Sequence, residues 1–430
     1  MKVENCDVVI VGSGVAGLIC ALSLDKKFKI ILLTKKKLKD SNSYLAQGGI
    51  SVCRGKEDRE EYIEDTLIAG HYKNNKEAVE ILVDESEEAI KTLIENGVKF
   101  TGDKKGLFYT REGGHRKFRI LYCEDQTGKY IMESLIEKIL ERDNLKIIED
   151  CEFLDIIEKE NNCLGILAKK EEIFAIKSKF TVLATGGLGG IYKNTTNFSH
   201  IKGDGIAVAI RHNIELKDIS YIQIHPTTFY TMGNERKFLI SESVRGEGAI
   251  LLNQKLERFT DELKPRDKVT KAILEEMKKD KSEYEWLDFS TINLDIKERF
   301  PNIYNHLMKK GINPLKDKVP VVPAQHYTMG GIKVDINSKT SMKNLYAIGE
   351  VACTGVHGQN RLASNSLLES VVFAKRASQS IIDENNISVY NNITDDIFKN
   401  IVDKILLTDE KENKNIIMQR IKEDELEKNR

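Results

Sequence analysis

Three glycines near the start of the chain have the spacing that a dinucleotide-binding turn requires. Gly12, Gly14 and Gly17 form the pattern G-x-G-x-x-G directly after the apolar run 8–11. In such a turn the first glycine allows the sharp bend, the second lets backbone N–H groups approach a pyrophosphate, and the third brings helix and strand together. The positive N-terminus of the next helix faces the phosphates. These residues predict a dinucleotide site, and the alternative is a glycine-bearing turn in another kind of α/β protein.

Four ionisable clusters between residues 220 and 326 form a second group of candidate residues. Their members include His225 in HPT, Ser241 and Glu242 in SESVRGEG, Arg266 in KPRD and His326 in PAQHYTMGG. A single histidine or arginine in such a stretch is usually structural. Four clusters within one region that glycine and proline interrupt favour a chemical site, because functional sites gather ionisable groups.

A further candidate, Glu112, lies in the compact polar stretch YTREGGH at residues 109–115. The stretch has no amphipathic period, and a glutamate between an arginine and two glycines is typical of a solvated turn. Two consecutive glycines also let the backbone come close to a ligand. From the residues alone, both interpretations of Glu112 stay open.

The elements around the glycine turn favour FAD over NAD. A second strand is predicted over 29–34, and NAD-binding folds place an Asp or Glu at the end of this strand to hold a ribose. Here the strand ends in Thr34 and Lys35, so a cation replaces the acid. The polar, glycine-containing loop 41–50 that follows suits a larger cofactor. Glu350, at the end of a later buried strand, is the candidate for the vacant ribose role.

Periodicity predicts an α/β protein: a Rossmann-like FAD-binding domain with an inserted α+β capping domain and a short C-terminal helical tail. The predicted domains are 1–219 and 327–385 for FAD binding, 220–326 for the cap and 386–430 for the tail. Helices are predicted over 15–24, 60–70, 77–96 and 125–141. A β-meander is predicted over 146–170, with its turn at residues 161–162.

Three further local predictions concern the ends of predicted strands and helices. Another buried strand runs from residue 180 into glycines, which repeats the opening pattern. Asp204 lies at the start of a predicted helix, and its structural alternative is a helix N-cap. Pro265 is expected at the first position of a helix.

Composition excludes several classes of function. The chain has 430 residues, with 66 Lys and Arg against 67 Asp and Glu, so no polyelectrolyte partner such as nucleic acid is indicated. Its seven cysteines are scattered without metal-ligand spacing, which indicates a reducing compartment with neither a metal site nor a disulfide framework. The first strand begins within a few residues of the N-terminus, and no apolar run approaches the ~20 residues that span a bilayer. We therefore expect a cytoplasmic protein without a membrane partner.

The chain resembles the aspartate oxidases of the succinate dehydrogenase/fumarate reductase flavoprotein superfamily. It carries, in this order, the motifs REGGH, HPT, SESVRGEG, KPRD, PAQHYTMGG, YAIGE and GQNRLASNSLLE. The resemblance covers about residues 7–377. It implies non-covalent FAD, because the loop before AQGG reads Ser43-Tyr44-Leu45, where covalent members carry a histidine.

The resemblance also implies which residues contact the cofactor. These are Gly12, Ser13, Gly14, Val15, Ala16, Gly17, Lys35, Asn42, Ser43, Tyr44, Leu45, Ala46, Gln47, Gly48, Gly49, Asp204, Glu350, Ser366 and Leu367.

A dicarboxylate site between flavin and cap is implied in the same way. Its residues are His225, Ser241, Glu242, Arg266, His326 and Arg361. Arg361 and His326 are expected to form a charge-assisted clamp on one carboxylate, and His225 with the Ser241 hydroxyl to hold the other end. Arg266 matches the proton-transfer arginine of the superfamily. Because arginine normally stays protonated, that role needs an acid nearby, and Glu242 and Glu247 are both candidates.

Within this superfamily, the resemblance implies that Glu112 selects the substrate. A buried carboxylate there can pair with an α-ammonium group, which succinate lacks. The implied reaction is oxidation of L-aspartate to iminoaspartate by hydride transfer to flavin N5, with oxygen or fumarate reoxidising the flavin. Iminoaspartate is the substrate of quinolinate synthase in NAD biosynthesis, so that enzyme is a candidate partner.

The chain departs from the family pattern at three places. His115 is followed by RKFRI rather than by the common S-x-RRI, Ser241 replaces a usual Thr, and a short charged tail replaces a three-helix domain. Two rival functions stay open. One is a soluble fumarate reductase or succinate-oxidising flavoprotein, and the other is a catalytically idle flavoprotein that acts as a binding subunit.

Overall fold

The computed structural model describes residues 2–233, 235–387, 398, 402 and 408–428, and a seven-stranded sheet forms its centre. In spatial order the strands are Leu145–Ile148, Ile30–Leu33, Lys2–Val11, Ile173–Leu183, Asn162–Lys169 and Glu152–Lys159, with Leu345–Ala347 paired to Ile173–Leu183 beside this path. The predicted α/β fold with a Rossmann-like domain is confirmed.

Both faces of the first strand are buried, as its continuous apolar run predicts. Val8 and Ile10 belong to one hydrophobic core, and Val9 and Val11 belong to the core on the opposite face. The helices that accompany these cores are Val15–Ser23, Lys56–Ala69, Lys76–Asp84, Ser86–Glu95, Thr127–Leu140, Asp204–Arg211, Asn365–Ile387 and Glu410–Lys428.

The glycine turn lies where three parallel strands end together. Val11 pairs with both Leu33 and Leu183, so the strands share one carboxyl edge. At Gly12 the backbone has φ of +117°, and a Cβ atom would stand 2.1 Å from the carbonyl oxygen of Ala184. A Cβ at Gly17 would stand 2.1 Å from the carbonyl oxygen of Gly12. Only glycine fits these two positions, because backbone atoms occupy the space a side chain needs.

The predicted bounds of two elements are wrong. The helix predicted over 77–96 is interrupted, because the buried Ser86 side chain accepts a hydrogen bond from the Cys53 amide at 2.9 Å and donates one to the Val83 carbonyl at 2.7 Å. The β-meander predicted over 146–170 begins later, because Leu145–Ile148 joins the parallel sheet beside Ile30–Leu33.

The turn of the remaining hairpin lies one residue earlier than predicted. Glu160 and Asn161 have φ of 54° and 57°. Two consecutive left-handed residues match the right-handed twist of the flanking strands.

A second sheet of four antiparallel strands forms the capping region. In spatial order its strands are Ile222–Phe229, Val319–Thr328, Glu285–Asp288 and Ile250–Leu252. Its helices are Glu242–Gly246, Arg266–Asp280, Ile296–Arg299 and Pro301–Lys309, and they share one hydrophobic core with the sheet. The predicted boundary at residue 326 falls inside a strand, since pairing continues to Thr328. The division into domains stays a prediction.

In the structure, Pro265 is the residue immediately before the helix, whereas the sequence predicts it as the first helical residue. Its ψ of 148° is extended, so the helix begins at Arg266. This places the Arg266 side chain at the N-terminus of the helix, where it lines the cavity described below.

The predicted tail 386–430 lies in part outside the described residues. Its described helix, Glu410–Lys428, buries Ile417 and Ile421 in the core that also contains Val9 and Val11. Asp424 accepts a hydrogen bond from the Ser220 amide at 3.0 Å, so the helix reaches the chain segment that leads into the cap. Within the described ranges, no helix has both the length and the apolar character to cross a bilayer.

The remaining elements are short connections. The short strands are Ile50–Ser51, Gly102–Asp103, Gly106–Leu107, Ile120–Leu121, Leu216–Lys217, Gly331–Lys333 and Ala352–Cys353, and the 3-10 turns are Asn42–Leu45, Gly189–Ile191 and Gly349–Val351.

Candidate active site

One long cavity extends from the glycine turn to the inner face of the cap. Its wall includes the predicted residues Gly12, Ser13, Gly14, Ala16, Lys35, Asn42, Ser43, Leu45, Ala46, Gln47, Gly48, Gly49, Glu112, Asp204, His225, Ser241, Glu242, Arg266, His326, Glu350, Arg361, Ser366 and Leu367. Val15, Gly17 and Tyr44 are not part of this wall. Tyr44 instead donates a hydrogen bond from its hydroxyl to Glu133 at 2.9 Å. The fold therefore brings nearly all of the predicted residues around one space.

At the end of the cavity near the glycine turn, a lysine and an aspartate form an ion pair. Lys35 Nζ lies 3.0 Å from Asp204 Oδ2, and it pairs more distantly with Glu152. Burial raises the pKa of Asp204, although Lys35 opposes this shift. Asp204 is not a helix N-cap, because Gly203, with φ of 83°, occupies that position. Asp204 is thus the carboxylate that contacts Lys35 at the end of the second strand, and the ribose role of Glu350 stays a prediction.

The loop 42–49 lies along the middle of the cavity. Ser43 Oγ accepts a hydrogen bond from the Val15 amide at 3.2 Å, which ties the loop to the helix N-terminus. The Gln47 side-chain amide donates to the Leu239 carbonyl of the cap at 3.1 Å. A Cβ at Gly48 would stand 2.9 Å from Glu112 Oε1, so the loop passes directly by this carboxylate.

Two arginines meet at the far end of the cavity through one glutamine. Gln223 Oε1 accepts hydrogen bonds from Arg266 Nη1 at 2.9 Å and from Arg361 Nε at 3.2 Å. Burial and the charge of Arg266 lower the pKa of Arg361 to about 10. Gln223 was not among the predicted residues, because the strand Ile222–Phe229 contains several polar residues and no motif distinguishes this one.

Glu242 is the acid that contacts Arg266. Its Oε2 lies 2.6 Å from Arg266 Nε, whereas Glu247 pairs with Arg299 at 3.5 Å on another side of the cap. The pKa of Glu242 falls to about 2, because Arg266 and Arg245 outweigh the opposing effect of burial. Of the two acids that the sequence left open, only Glu242 stands at Arg266.

The two histidines lie side by side and are neutral. The rings of His225 and His326 meet edge to face with centroids 5.4 Å apart. Burial, together with Arg266 at His225 and Arg361 at His326, holds both pKa values well below the usual range. Desolvation and the nearby arginines oppose a third cation, so His326 is neutral in the protein without ligand. Its part in a charge-assisted clamp on the substrate stays a prediction. His326 also stands beside His225 rather than across the site from it.

Glu112 lines the cavity that the two arginines also line, while Gly113 and Gly114 beside it form an exposed turn. Its role in the site stays a prediction. Ser364 Oγ donates a hydrogen bond to Glu112 Oε2 at 2.6 Å. Burial and the nearby Glu242 raise the pKa of Glu112, while this hydrogen bond and the two arginines lower it. Ser241 also lies on the wall, where its Oγ accepts a hydrogen bond from the Ser243 amide at 3.3 Å and begins a short helix. Ser364 was missed because no pattern links it to Glu112 across 252 positions.

A family model described as the FAD binding domain matches residues 7–367. The L-aspartate oxidase of Clostridium perfringens is 55% identical over 378 residues, which are 87% of this chain and 86% of that protein. The chain belongs to the L-aspartate oxidase family. A second member of this family, from Clostridium acetobutylicum, is 53% identical over 379 residues, or 87% of each chain.

Solved structures place this family within the predicted superfamily. The E. coli quinol fumarate reductase chain FrdA has a TM-score of 0.86 and 29% identity, and the match covers 94% of this chain and 74% of that one. The predictions of the superfamily, of an FAD-dependent oxidoreductase and of the fold are therefore confirmed.

The residues of the cavity fit FAD. Thr185 Oγ1 and Gln47 Oε1 are buried atoms on the wall that have no hydrogen-bond partner among the described residues, and they can bind the polar edges of a large cofactor. Gly12, Ser13 and Gly14 line the cavity at the N-terminus of the helix Val15–Ser23, where backbone N–H groups can bind a pyrophosphate. The assignment of single residues to single parts of FAD stays a prediction.

The affinity of the protein for FAD is expected to depend on pH through the carboxyl group of Glu350. Burial raises the pKa of Glu350 to about 7, although the Thr328 amide donates to its Oε1 at 3.0 Å. If FAD hydroxyls donate to this carboxylate, binding requires the ionised form. The dissociation constant for FAD should then rise by up to about tenfold per unit as pH falls from 7 to 5, and level off above pH 7.

A fluorescence titration of FAD into the FAD-free protein measures this dependence. Glu350→Gln should bind FAD with nearly the same constant throughout this range. The FAD-free protein itself should show the opposite trend in stability: folding raises this pKa, so the contribution of Glu350 falls as pH rises toward 7. Equal pH profiles for wild type and Glu350→Gln would assign the titration to another group.

Proposed function

We propose that the chain oxidises L-aspartate to iminoaspartate. The observation that carries this proposal is the position of Glu112, a buried carboxyl group on the wall of the same cavity that Arg266 and Arg361 line, whose ionised form a substrate ammonium group would stabilise. The arginines suit the two carboxylates of the substrate, and Glu112 suits its α-ammonium group. Succinate offers no cation to Glu112, and a buried charge without a partner is costly.

Each residue has a part in binding and orienting the substrate. Arg361 and Arg266 bind carboxylates. Gln223 Oε1 accepts a hydrogen bond from each of the two guanidinium groups and so holds them beside one another. The neutral His225 and His326 offer N–H donors without adding charge. Bound FAD supplies, at N5, the acceptor for the hydride that leaves the substrate Cα.

The amino group must also lose a proton to become the imine. Glu242 orients Arg266 by accepting its Nε–H at 2.6 Å, which supports the proton-transfer role that the superfamily resemblance implies for this arginine. Arg266 can take this proton only as it releases one of its own to Glu242, and the low pKa of Glu242, about 2, makes that carboxylate a transient acceptor that passes the proton on to water. Oxygen or fumarate then accepts the electrons. We also propose that iminoaspartate passes to quinolinate synthase in NAD biosynthesis.

An anaerobic half-reaction tests the proposal. L-aspartate and succinate are added separately to the FAD-loaded protein, and the absorbance of oxidised flavin is followed. Bleaching by L-aspartate alone supports the proposal. Bleaching by succinate alone indicates a succinate-oxidising flavoprotein, and no bleaching by either indicates an idle binding subunit. Measurement of the reoxidation rate with oxygen and with fumarate then identifies the acceptor.

A further inference from the structure

A buried carboxylate stands behind the substrate cavity and contacts none of the groups so far described. Glu369, on the helix Asn365–Ile387, is 1% exposed. Its oxygens accept hydrogen bonds from Thr354 Oγ1 at 2.5 Å, His357 Nε2 at 2.8 Å and the Tyr327 hydroxyl at 3.0 Å. Burial alone would raise its pKa, but His357 and these hydrogen bonds lower it. Glu369 is therefore an ionised group in the interior.

The ring of Tyr327 connects this carboxylate to the cavity. The guanidinium carbon of Arg361 lies 4.6 Å from the centre of the Tyr327 ring. A phenol that donates its hydrogen to a carboxylate carries more negative charge on its ring, and this strengthens the attraction of the ring for a cation. Tyr327 itself lines the cavity, whereas Glu369 does not.

Arg361 needs such support because its position is electrostatically unfavourable. The side chain is buried and stands near Arg266, and both effects oppose its positive charge. The charges of Glu350 and Glu112 favour the cation from a distance, but the hydrogen bonds of the guanidinium group go to neutral oxygens, those of Gln223 and Ser366. A polarised ring beneath the guanidinium therefore stabilises the charge and restrains the plane of the group at the same time.

We propose that Glu369 is a positioning residue for Arg361, acting through the Tyr327 ring, and that it sets the affinity of the site for a substrate carboxylate. This inference rests on the proposed function, in which Arg361 binds that carboxylate. The alternative is that Glu369 only holds together the helix and the turn that carries Thr354 and His357.

Binding of succinate to the oxidised, FAD-loaded protein distinguishes the two. Glu369→Gln keeps the size of the side chain but removes its charge, and Tyr327→Phe keeps the ring but removes its link to Glu369. Each change should raise the dissociation constant of succinate, followed by the flavin spectrum, by about tenfold. Because both act through one ring, the double variant should bind succinate no more than about twofold more weakly than Glu369→Gln.

A matched control is Tyr346→Phe, which removes another buried tyrosine hydroxyl, one that contacts Ser380 at 3.2 Å. It should leave the succinate constant unchanged. With L-aspartate, Glu369→Gln should raise KM by the same factor as the succinate constant and leave kcat within about threefold. FAD content should equal that of the wild type.

An unchanged succinate constant in both variants, or fully additive effects in the double variant, would overturn the inference. Loss of FAD in step with succinate affinity would assign Glu369 a structural role only. If Glu369→Gln does not fold, Tyr327→Phe alone decides, since its ring still fills the same space. Failure of the wild type to oxidise L-aspartate would instead count against the proposed function. If succinate binds the wild type too weakly to be followed, the KM for L-aspartate in Glu369→Gln and Tyr327→Phe decides.

Discussion

Glu112→Gln should slow the reduction of flavin by L-aspartate by about 100- to 5000-fold. In the wild type, the substrate ammonium enters a site that already contains two buried arginines, and Glu112, once ionised, is the anion that pairs with it. Without that anion the ammonium is buried with no counter-charge, which costs about 3–5 kcal/mol. Glutamine keeps the shape and can still accept the Ser364 hydrogen bond. Anaerobic stopped-flow spectroscopy measures the rate of flavin reduction.

Succinate binding provides the internal control for Glu112→Gln. Because succinate has no ammonium group, its affinity should stay the same or increase, since the variant lacks an anion near the dicarboxylate. Glu247→Gln is the matched variant, because this glutamate lies in the same capping region but pairs with Arg299. Glu247→Gln should change neither the rate of flavin reduction by L-aspartate nor the affinity for succinate. If Glu112→Gln loses aspartate turnover and succinate affinity to the same extent, Glu112 does not select between the two substrates.

Arg266→Lys should lower kcat for L-aspartate by about 1000-fold, although the charge is kept. Arg266 donates from Nε to Glu242 at 2.6 Å and from Nη1 to Gln223 at 2.9 Å, and these two directions fix its plane. A lysine ammonium cannot reproduce both contacts and still face the substrate. The loss should lie mainly in the chemical step, because aligned proton transfer contributes about 100- to 10,000-fold. Arg361 still binds a carboxylate in this variant.

Single-turnover reduction at saturating L-aspartate separates this loss from weaker binding. The dissociation constant for succinate should increase by no more than about tenfold. Arg299→Lys is the control, because it makes the same change at a partly exposed arginine of the cap. Retention of the wild-type reduction rate in Arg266→Lys would exclude Arg266 from the chemical step.

Much of the architecture could be predicted because its signals are local. The apolar run 8–11 predicts a buried strand, and the glycine spacing predicts the turn after it, since both depend on neighbours within a few residues. Predictions from local patterns are wrong where a contact with a distant part of the chain determines the local structure. Ser86 interrupts a periodic helix because it bonds to Cys53, 33 positions earlier, and periodicity carries no information about such a partner.

The sequence by itself determined the family, the cofactor and the types of residue at the site, because spaced motifs record chemistry that short segments carry. Only the tertiary structure decided how these residues act on one another. It selected Glu242 over Glu247 as the partner of Arg266, joined Arg266 to Arg361 through Gln223, and left His225 and His326 neutral. The reason is physical: hydrogen bonds and pKa shifts depend on burial and on distances of a few ångströms between residues far apart in the chain, and neither quantity exists until the chain is packed.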